Sequence, residues 1–169
     1  MGRSSLARLA LVVCLALTAT PGMAKTIKVT PANPVAIVDI PDDWKVVDTK
    51  RGFGVKSPDE EVFFWIGTFT PDQRASVVAD HERYFARQGV RITGEPKVDT
   101  RSDPTVSIRV TDLPATWKDE PTVLRYLAID LHLPSQTQIL LSYWASPDGD
   151  REHDGAMDKI IASFTPLAQ

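Results

Sequence analysis

The sequence predicts an α+β fold: one domain, residues 25–169, in which an antiparallel β-sheet is flanked by two main α-helices as an α/β/α sandwich. The order of periodic segments supports this prediction. Short runs with the two-residue period of strands come first, a helical run follows, and the same order then repeats. Turns rich in Pro, Gly and Asp separate the short runs, which indicates antiparallel hairpins.

The first 24 residues read as a secretory signal. Arg3 and Arg8 supply a positive start, an apolar core follows, and small residues precede Lys25. The apolar run is shorter than the roughly 20 residues that a membrane span needs. We therefore expect a mature chain that begins at Lys25, has no transmembrane span, and is periplasmic or secreted.

Cys14 offers an alternative, a lipoprotein signal in which this cysteine carries the lipid. The large Val13 before it and the apolar residues after it disfavour that interpretation. Cys14 is the chain's one cysteine, so we expect the mature chain to have neither a disulfide nor a thiolate metal site. The formal net charge is −3 and no basic block is present, which excludes nucleic acid as an expected partner.

The first half of the mature chain predicts strands followed by a helix. The β-type runs are Ile27–Val29, Val35–Ile40, Trp44–Val47, Phe53–Lys56 and Val62–Phe69. The helix has about 17 residues, with Thr70 as N-cap, Pro71 in the first turn and Gly89 at its end. His81 lies on its apolar stripe, where we expect it to pack with one hydrogen bond.

The run Val62–Phe69 is apolar on both faces. Val62, Phe64 and Ile66 point one way, whereas Phe63, Trp65 and Phe69 point the other. Such a strand is either central in a sheet that is covered on both sides, or it presents an apolar patch to a partner. Because amphipathic helices are available, we predict the central, covered position.

Gly52 and Gly54 form a G-x-G pattern, which in other contexts binds phosphate. Here the two glycines precede a strand at a hairpin, so no helix N-terminus is present to bind the anion. We predict a structural role for both.

The second half predicts a strand in "TVSIRV", then a long hairpin of Thr122–Leu133 and Thr137–Ala145 joined by "LPSQ". Keeping the apolar side chains on one face gives a register with Tyr126 opposite Trp144. The last helix begins at Ser146 and Pro147. We expect His153, in its acidic first turns, to be exposed.

The candidate ligand or partner face consists of Tyr126, Asp130, His132 and Trp144. Asp130 and His132 lie two residues apart on one strand, an arrangement that can orient an imidazole for acid-base work or metal binding. Tyr126 and Trp144 can form an aromatic platform with Trp117. The competing interpretation is that these side chains simply pack beneath a helix.

We expect no catalytic residue, no cofactor and no metal. The sequence has no G-x-S-x-G elbow, no P-loop and no H-E-x-x-H. The segment "DREHDG" imitates the start of a calcium loop, but Ile161 occupies the twelfth position, where calcium requires a bidentate Glu.

The segments "VAIVDIPDDWKVV", "GFGVKSPDEEVFFWIG" and "MDKIIASF" resemble the PsbP-like superfamily over roughly residues 33–165. The resemblance implies an antiparallel sheet between helices and non-enzymatic work as an accessory or binding subunit. None of the family's partner-binding or metal-binding residues matches a position here. Two functions stay open: an exported module that contacts a protein or envelope component, or a small-ligand or metal-binding protein that uses the candidate face.

Overall fold

The structure is a computed structural model that describes residues 23–30, 33–49 and 52–167. The predicted signal segment lies outside these residues apart from Met23 and Ala24, and Cys14 lies outside them too. Helix α1 (Arg74–Arg87) follows a 3-10 turn (Pro71–Gln73), and helix α2 is Pro147–Ala162. The strands are β1 (Ala24–Val29), β2 (Ala36–Pro41), β3 (Lys45–Thr49), β4 (Gly52–Lys56), β5 (Val62–Phe69), β6 (Val90–Ile92), β7 (Lys97–Ser102), β8 (Ser107–Trp117), β9 (Glu120–Asp130), β10 (Gln138–Ala145) and β11 (Thr165–Pro166).

Among the described residues, the strands form two antiparallel sheets. The large sheet has the order β3-β4-β5-β10-β9-β8-β6, and β7 pairs with β8 next to β6. The small sheet has the order β1-β2-β11. The predicted α+β class and antiparallel pairing are therefore confirmed.

Strand β5 lies inside the large sheet between β4 and β10, as its two apolar faces predict. Phe64 is completely buried on one face. On the other face Trp65 is half-buried against α1, with its ring centroid 4.1 Å from that of Tyr84. The aromatic side chains that follow one another in this strand thus belong to cores on opposite sides of one sheet.

The two glycines of β4, Gly52 and Gly54, have structural roles, as predicted. Gly52 has φ of 144°, and a Cβ there would stand 1.9 Å from the carbonyl oxygen of Ile66. A Cβ on Gly54 would stand 3.1 Å from the indole nitrogen of Trp65. Gly54 therefore makes room for the ring that α1 covers.

The two faces of the large sheet are covered differently. On the face that we call the α2 face, Phe64 and Leu141 share a core with Met157 and Ile160 of α2 and with Val38 of β2. The expectation of a flanking helix on each face is confirmed in part: α2 covers this side, but the small sheet covers it as well. The sequence pattern could not show this second sheet, since the runs of β1 and β2 resemble those of the other strands and predict one meander.

The opposite face, which we call the α1 face, is covered by α1. Val77 and Phe85 of the helix share a core with Phe69, Leu124 and Tyr126 of the sheet. Seven strands side by side span about 29 Å at roughly 4.8 Å per spacing. A helix with its side chains is about 10–12 Å across, so α1 covers only the middle of this face.

A contact between His153 and Asp59 ties α2 to the turn between β4 and β5. His153 Nε2 lies 2.8 Å from Asp59 Oδ2, and the imidazole packs edge-on against Trp44 with centroids 5.3 Å apart. Ser57 Oγ also donates to Asp59, at 2.5 Å. The expectation that His153 is exposed is wrong: its side chain is only 15% exposed, because its ring packs against Trp44 and Asp59.

Three further boundaries differ from the sequence prediction. The first turn after Thr70 is 3-10 rather than α. Strand β7 was not predicted because all its residues are exposed, so its sequence shows no burial period. Strand β8 continues past Val110 to Trp117 across Pro114, whose carbonyl accepts from the backbone N–H of Thr93 at 2.8 Å.

Replacing Gly52 with Ala is expected to lower the free energy of unfolding by roughly 3 kcal/mol or more, because the new Cβ meets backbone in a conformation that L-residues rarely adopt. The matched variant Gly155→Ala is expected to raise it by about 0.5–1 kcal/mol. No described atom lies within 4 Å of a Cβ at Gly155, which sits inside α2. Urea unfolding of both variants tests this, and equal effects would contradict it.

Asp59 is expected to contribute stability that disappears in acid. Hydrogen bonds from Ser57 and then His153 hold the pKa of this carboxyl far below its usual range. A depressed pKa in the folded state stabilises the fold above the unfolded-state pKa of about 3.9 and ceases to do so as the pH falls below it. The gap in unfolding free energy between the wild type and Asp59→Asn should therefore be largest above about pH 5 and shrink towards pH 3.

The measurement is a series of urea unfolding curves across this pH range. Glu95→Gln is a suitable control, since Glu95 is exposed and has no hydrogen bond or ion pair among the described residues. A gap for Asp59→Asn that stays constant from pH 7 to pH 3 would show that the carboxylate charge is not involved.

Candidate functional site

Tyr126 and Trp144 lie on the α1 face, but not directly opposite each other. Tyr126 pairs with Ser142 and Trp144 with Leu124, so the predicted register is wrong by two residues. A shift of two keeps every side chain on its predicted face, which is why the alternation could not exclude it. Phe85 of α1 contacts both rings, with centroids 6.5 Å from Tyr126 and 6.0 Å from Trp144.

The predicted aromatic platform exists at the Trp144 end. The rings of Trp117 and Trp144 meet edge-on at 5.5 Å. Trp144 Nε1 donates to Thr122 Oγ1 at 2.9 Å, and Trp117 Nε1 donates to the carbonyl of Gln88 at 3.0 Å. Both indole N–H groups are thus satisfied within the protein, and the rings offer apolar surface.

Asp130 and His132 do not form an acid-base pair. Strand β9 ends at Asp130, and His132 has φ of 53°, so its side chain leaves the strand direction. Asp130 accepts from the backbone N–H of His132 at 2.8 Å and from the Gln138 side chain at 3.0 Å. The imidazole of His132 contacts Ser107 Oγ at 3.1 Å and the Pro104 carbonyl at 3.2 Å instead.

The structure therefore divides the four predicted residues. Tyr126 and Trp144 join the α1 core through Phe85, whereas Asp130 and His132 hold the end of β9 against the loop before β8. Among the described residues, no group of three or more His, Cys, Asp or Glu could hold a metal ion.

His81 of α1 packs against the sheet and forms a hydrogen bond to it, as its place on the apolar stripe of the helix predicts. Its Nδ1 lies 2.6 Å from Ser142 Oγ, and its ring lies 5.3 Å from that of Trp65. Ser142 is fully buried. A hydroxyl with no accessible surface cannot meet a substrate, so this Ser–His pair anchors the helix to the middle of the sheet.

Clefts open beside α1, where the helix does not cover the sheet. One of them, of about 240 Å³, lies next to β5 and is lined by Trp65, His81 and Tyr84 among others. Another, of about 570 Å³, lies between α1 and strands β7 to β9. We call it the β8-side cleft; its lining includes Ala75, Val78, Ala79, Val98, Arg109, Leu113, Tyr126, Ala128 and Leu140.

Small side chains create the β8-side cleft. Ala75 and Ala79 lie four residues apart in α1, so they present the same side of the helix to the cleft. Ala128 of β9 lies on the sheet below them. Larger apolar residues at these positions would fill the space between helix and sheet.

Tyr126 lines this cleft, and its hydroxyl has an unusual environment. It is 5% exposed, and its hydroxyl has no hydrogen-bond partner among the described residues. Burial, and then the negative charge of Glu82, raises the pKa of this hydroxyl, so it stays a protonated donor. A buried polar group without a partner costs about 1–3 kcal/mol of stability.

Two cations of the cleft are also without ion-pair partners. Among the described residues, Arg74 of α1 and Arg109 of β8 form no ion pair. Five other arginines of the described residues do form one, namely Arg83, Arg91, Arg101, Arg125 and Arg151, whereas Arg87 does not. Of the carboxylates in the lining, Asp72 accepts from Thr70 Oγ1 at 2.5 Å, and Glu82 is exposed.

Sequence reasoning missed Arg74, Arg109 and the alanines. The pair Ala75 and Ala79 beside the apolar stripe was a possible signal, because small residues at helical spacing let a helix side stay open. Nothing in the sequence indicated that the two arginines form no ion pair, since ion pairing depends on which residues the fold brings near them.

Exposed apolar side chains of the large sheet share one face. Val47, Ile92, Val98 and Trp117 are 52%, 46%, 47% and 36% exposed. Their strand partners place each of them on the α1 face, around the edges of the area that α1 covers. This face therefore combines open clefts with apolar surface.

Comparison with known proteins shows the fold. No family profile matches the sequence, and no curated protein matches it either. Among solved structures the chain is similar to cyanobacterial PsbP (CyanoP) from Synechocystis sp. PCC 6803, with a TM-score of 0.61 and 9% identity over 89% of this chain and 96% of that chain. It is also similar to PA94, a protein of unknown function from Pseudomonas aeruginosa, with a TM-score of 0.42 and 14% identity over 88% of this chain and 100% of that chain. The chain has a PsbP-like fold, as its sequence resemblance predicted.

Removing the hydroxyl of Tyr126 is expected to stabilise the protein. Tyr126→Phe deletes a buried donor that has no partner, so the free energy of unfolding should rise by about 1 kcal/mol. Tyr84→Phe, at a half-buried ring of α1 itself, should change it by less. Urea unfolding provides the comparison, and a clear loss of stability for Tyr126→Phe would mean that the hydroxyl is satisfied.

Proposed function

We propose that this protein is an exported, non-catalytic binding or accessory module of the bacterial periplasm that contacts a protein or envelope component. The signal-like segment 1–24 supports export. The α1 face supports binding, because it presents Ile92, Val98 and Trp117 in a partly exposed state. The implied behaviour of PsbP-like proteins as accessory subunits agrees with this proposal.

The arrangement of exposed apolar side chains is the observation that carries the proposal. Isolated apolar residues are common on protein surfaces, but a group on one face indicates an interaction site. Covering such surface with a partner removes it from water, at about 25 cal/mol per Å² of apolar area. The α2 face offers no comparable surface among the described residues, because α2 and the small sheet cover it.

We infer that the α/β/α sandwich has two covering elements on its α2 side, α2 and the small sheet, and one covering element on its α1 side, α1. A partner seated beside α1 would add a second covering element to that side. Among the described residues, no helix is both long and apolar enough to cross a membrane.

Site-specific photo-crosslinking in the native bacterium tests this function. A photoreactive residue at Val98 or Trp117 of the full-length chain should trap a specific partner in the periplasmic fraction. The same residue at Arg151, exposed on α2, is the matched control and should trap several-fold less. N-terminal sequencing of the recovered chain should begin at Lys25.

Two results would contradict the proposal. Equal crosslinking from Arg151 and from Trp117 would show that the α1 face has no special role. A chain that keeps its first 24 residues and stays out of the periplasm would disprove export.

A further inference from the structure

We propose that the β8-side cleft binds a small organic anion with an apolar body, whose acidic group lies between Arg74 and Arg109 and whose body lies on Tyr126, Ala128 and Leu140. This inference goes beyond the proposed function. It depends neither on export nor on a protein partner, because its evidence lies within the cleft.

The size and composition of the cleft fit a small molecule. Its volume of about 570 Å³ lies within the range of about 300–1,000 Å³ that is typical of ligand sites. Its floor is apolar, and polar groups are few and placed on the walls, which is also the usual pattern. The alanines keep it open between two rigid elements, α1 and the sheet.

The two arginines of the lining can bind an anion. Arg74 comes from the first turn of α1, and Arg109 comes from β8 across the cleft, and neither has an ion-pair partner among the described residues. Asp72 and Glu82 also line the cleft. The two carboxylates balance the two cations in formal charge, but among the described residues neither carboxylate pairs with Arg74 or Arg109, so both guanidiniums keep their donors for a ligand. A guanidinium binds carboxylates and similar acids with paired, directional hydrogen bonds.

Tyr126 gives an independent reason to expect a ligand. Buried polar groups in proteins nearly always have hydrogen-bond partners. The hydroxyl of Tyr126 is buried in the floor region and has none among the described residues. An acceptor atom on a ligand that reaches the floor would supply one.

The test uses two fluorescent probes that share one apolar body. Anilinonaphthalene sulfonate carries an acidic group, and N-phenylnaphthylamine is its neutral counterpart. Titration of the purified mature chain should give a dissociation constant about tenfold lower for the sulfonate, the difference that one charged contact typically makes. Arg109→Gln and Arg74→Gln should each remove most of that preference and leave the neutral probe unaffected.

Variants of the floor test the place of binding. Ala128→Leu and Ala79→Leu should fill the cleft and weaken both probes about tenfold or more, with unchanged circular dichroism and melting temperature as the check on folding. Ala162→Leu, exposed in α2, is the control and should bind like the wild type.

Two other outcomes would contradict the inference. Equal affinity of the wild type for both probes would disprove the anion. Unchanged binding to both folded cleft-filling variants would disprove the site. Neither result touches the partner crosslinks from Val98 and Trp117, so failure here and failure of the proposed function can be told apart.

Discussion

The width of the large sheet relative to the width of a helix is the constraint on which the rest of the structure depends. The sheet is roughly two to three helices wide. On the α2 face, the small sheet and α2 together cover the core, and a cleft of about 310 Å³ lies between α2 and strands β7 to β9. On the α1 face, α1 has no such neighbour among the described elements, so clefts open on both of its sides. The exposed apolar residues of the sheet lie on this face for the same reason.

The contacts that hold α1 explain where these clefts open. Trp65 packs on Tyr84, and His81 bonds to Ser142, so the helix is fixed over β5 and β10 near the middle of the sheet. A helix held at the middle leaves both flanks open, whereas one held at an edge would leave a single broad groove. Stability and binding are thus divided between the faces. The α2 face, tied by Asp59 and His153, provides most of the buried core.

The sequence predicted what depends on period and missed what depends on tertiary neighbours. The bounds of β5 and the place of Ser146 before α2 follow from alternation and capping, both of which are local. The hairpin register failed because a shift by two preserves alternation. Strand β7 was missed because exposed residues have no burial period.

For the site, the α1 face of Tyr126 and Trp144 was correctly chosen, but the Asp130 and His132 pair failed because β9 ends between them. The unpaired Arg74 and Arg109 could be recognised only once the fold placed both in one cleft with no ion pair to either among the described residues.

Partner and ligand would occupy one continuous face, and this links the two proposals thermodynamically. Val98 is exposed apolar surface and also lines the β8-side cleft. A ligand that lies on it changes the surface that a partner meets, so each must alter the other's affinity by the same factor. The sign of that coupling depends on geometry at Val98. A ligand that sits below this side chain would complete the layer beside α1 and favour the partner, whereas one that rises above it would occupy the partner's place.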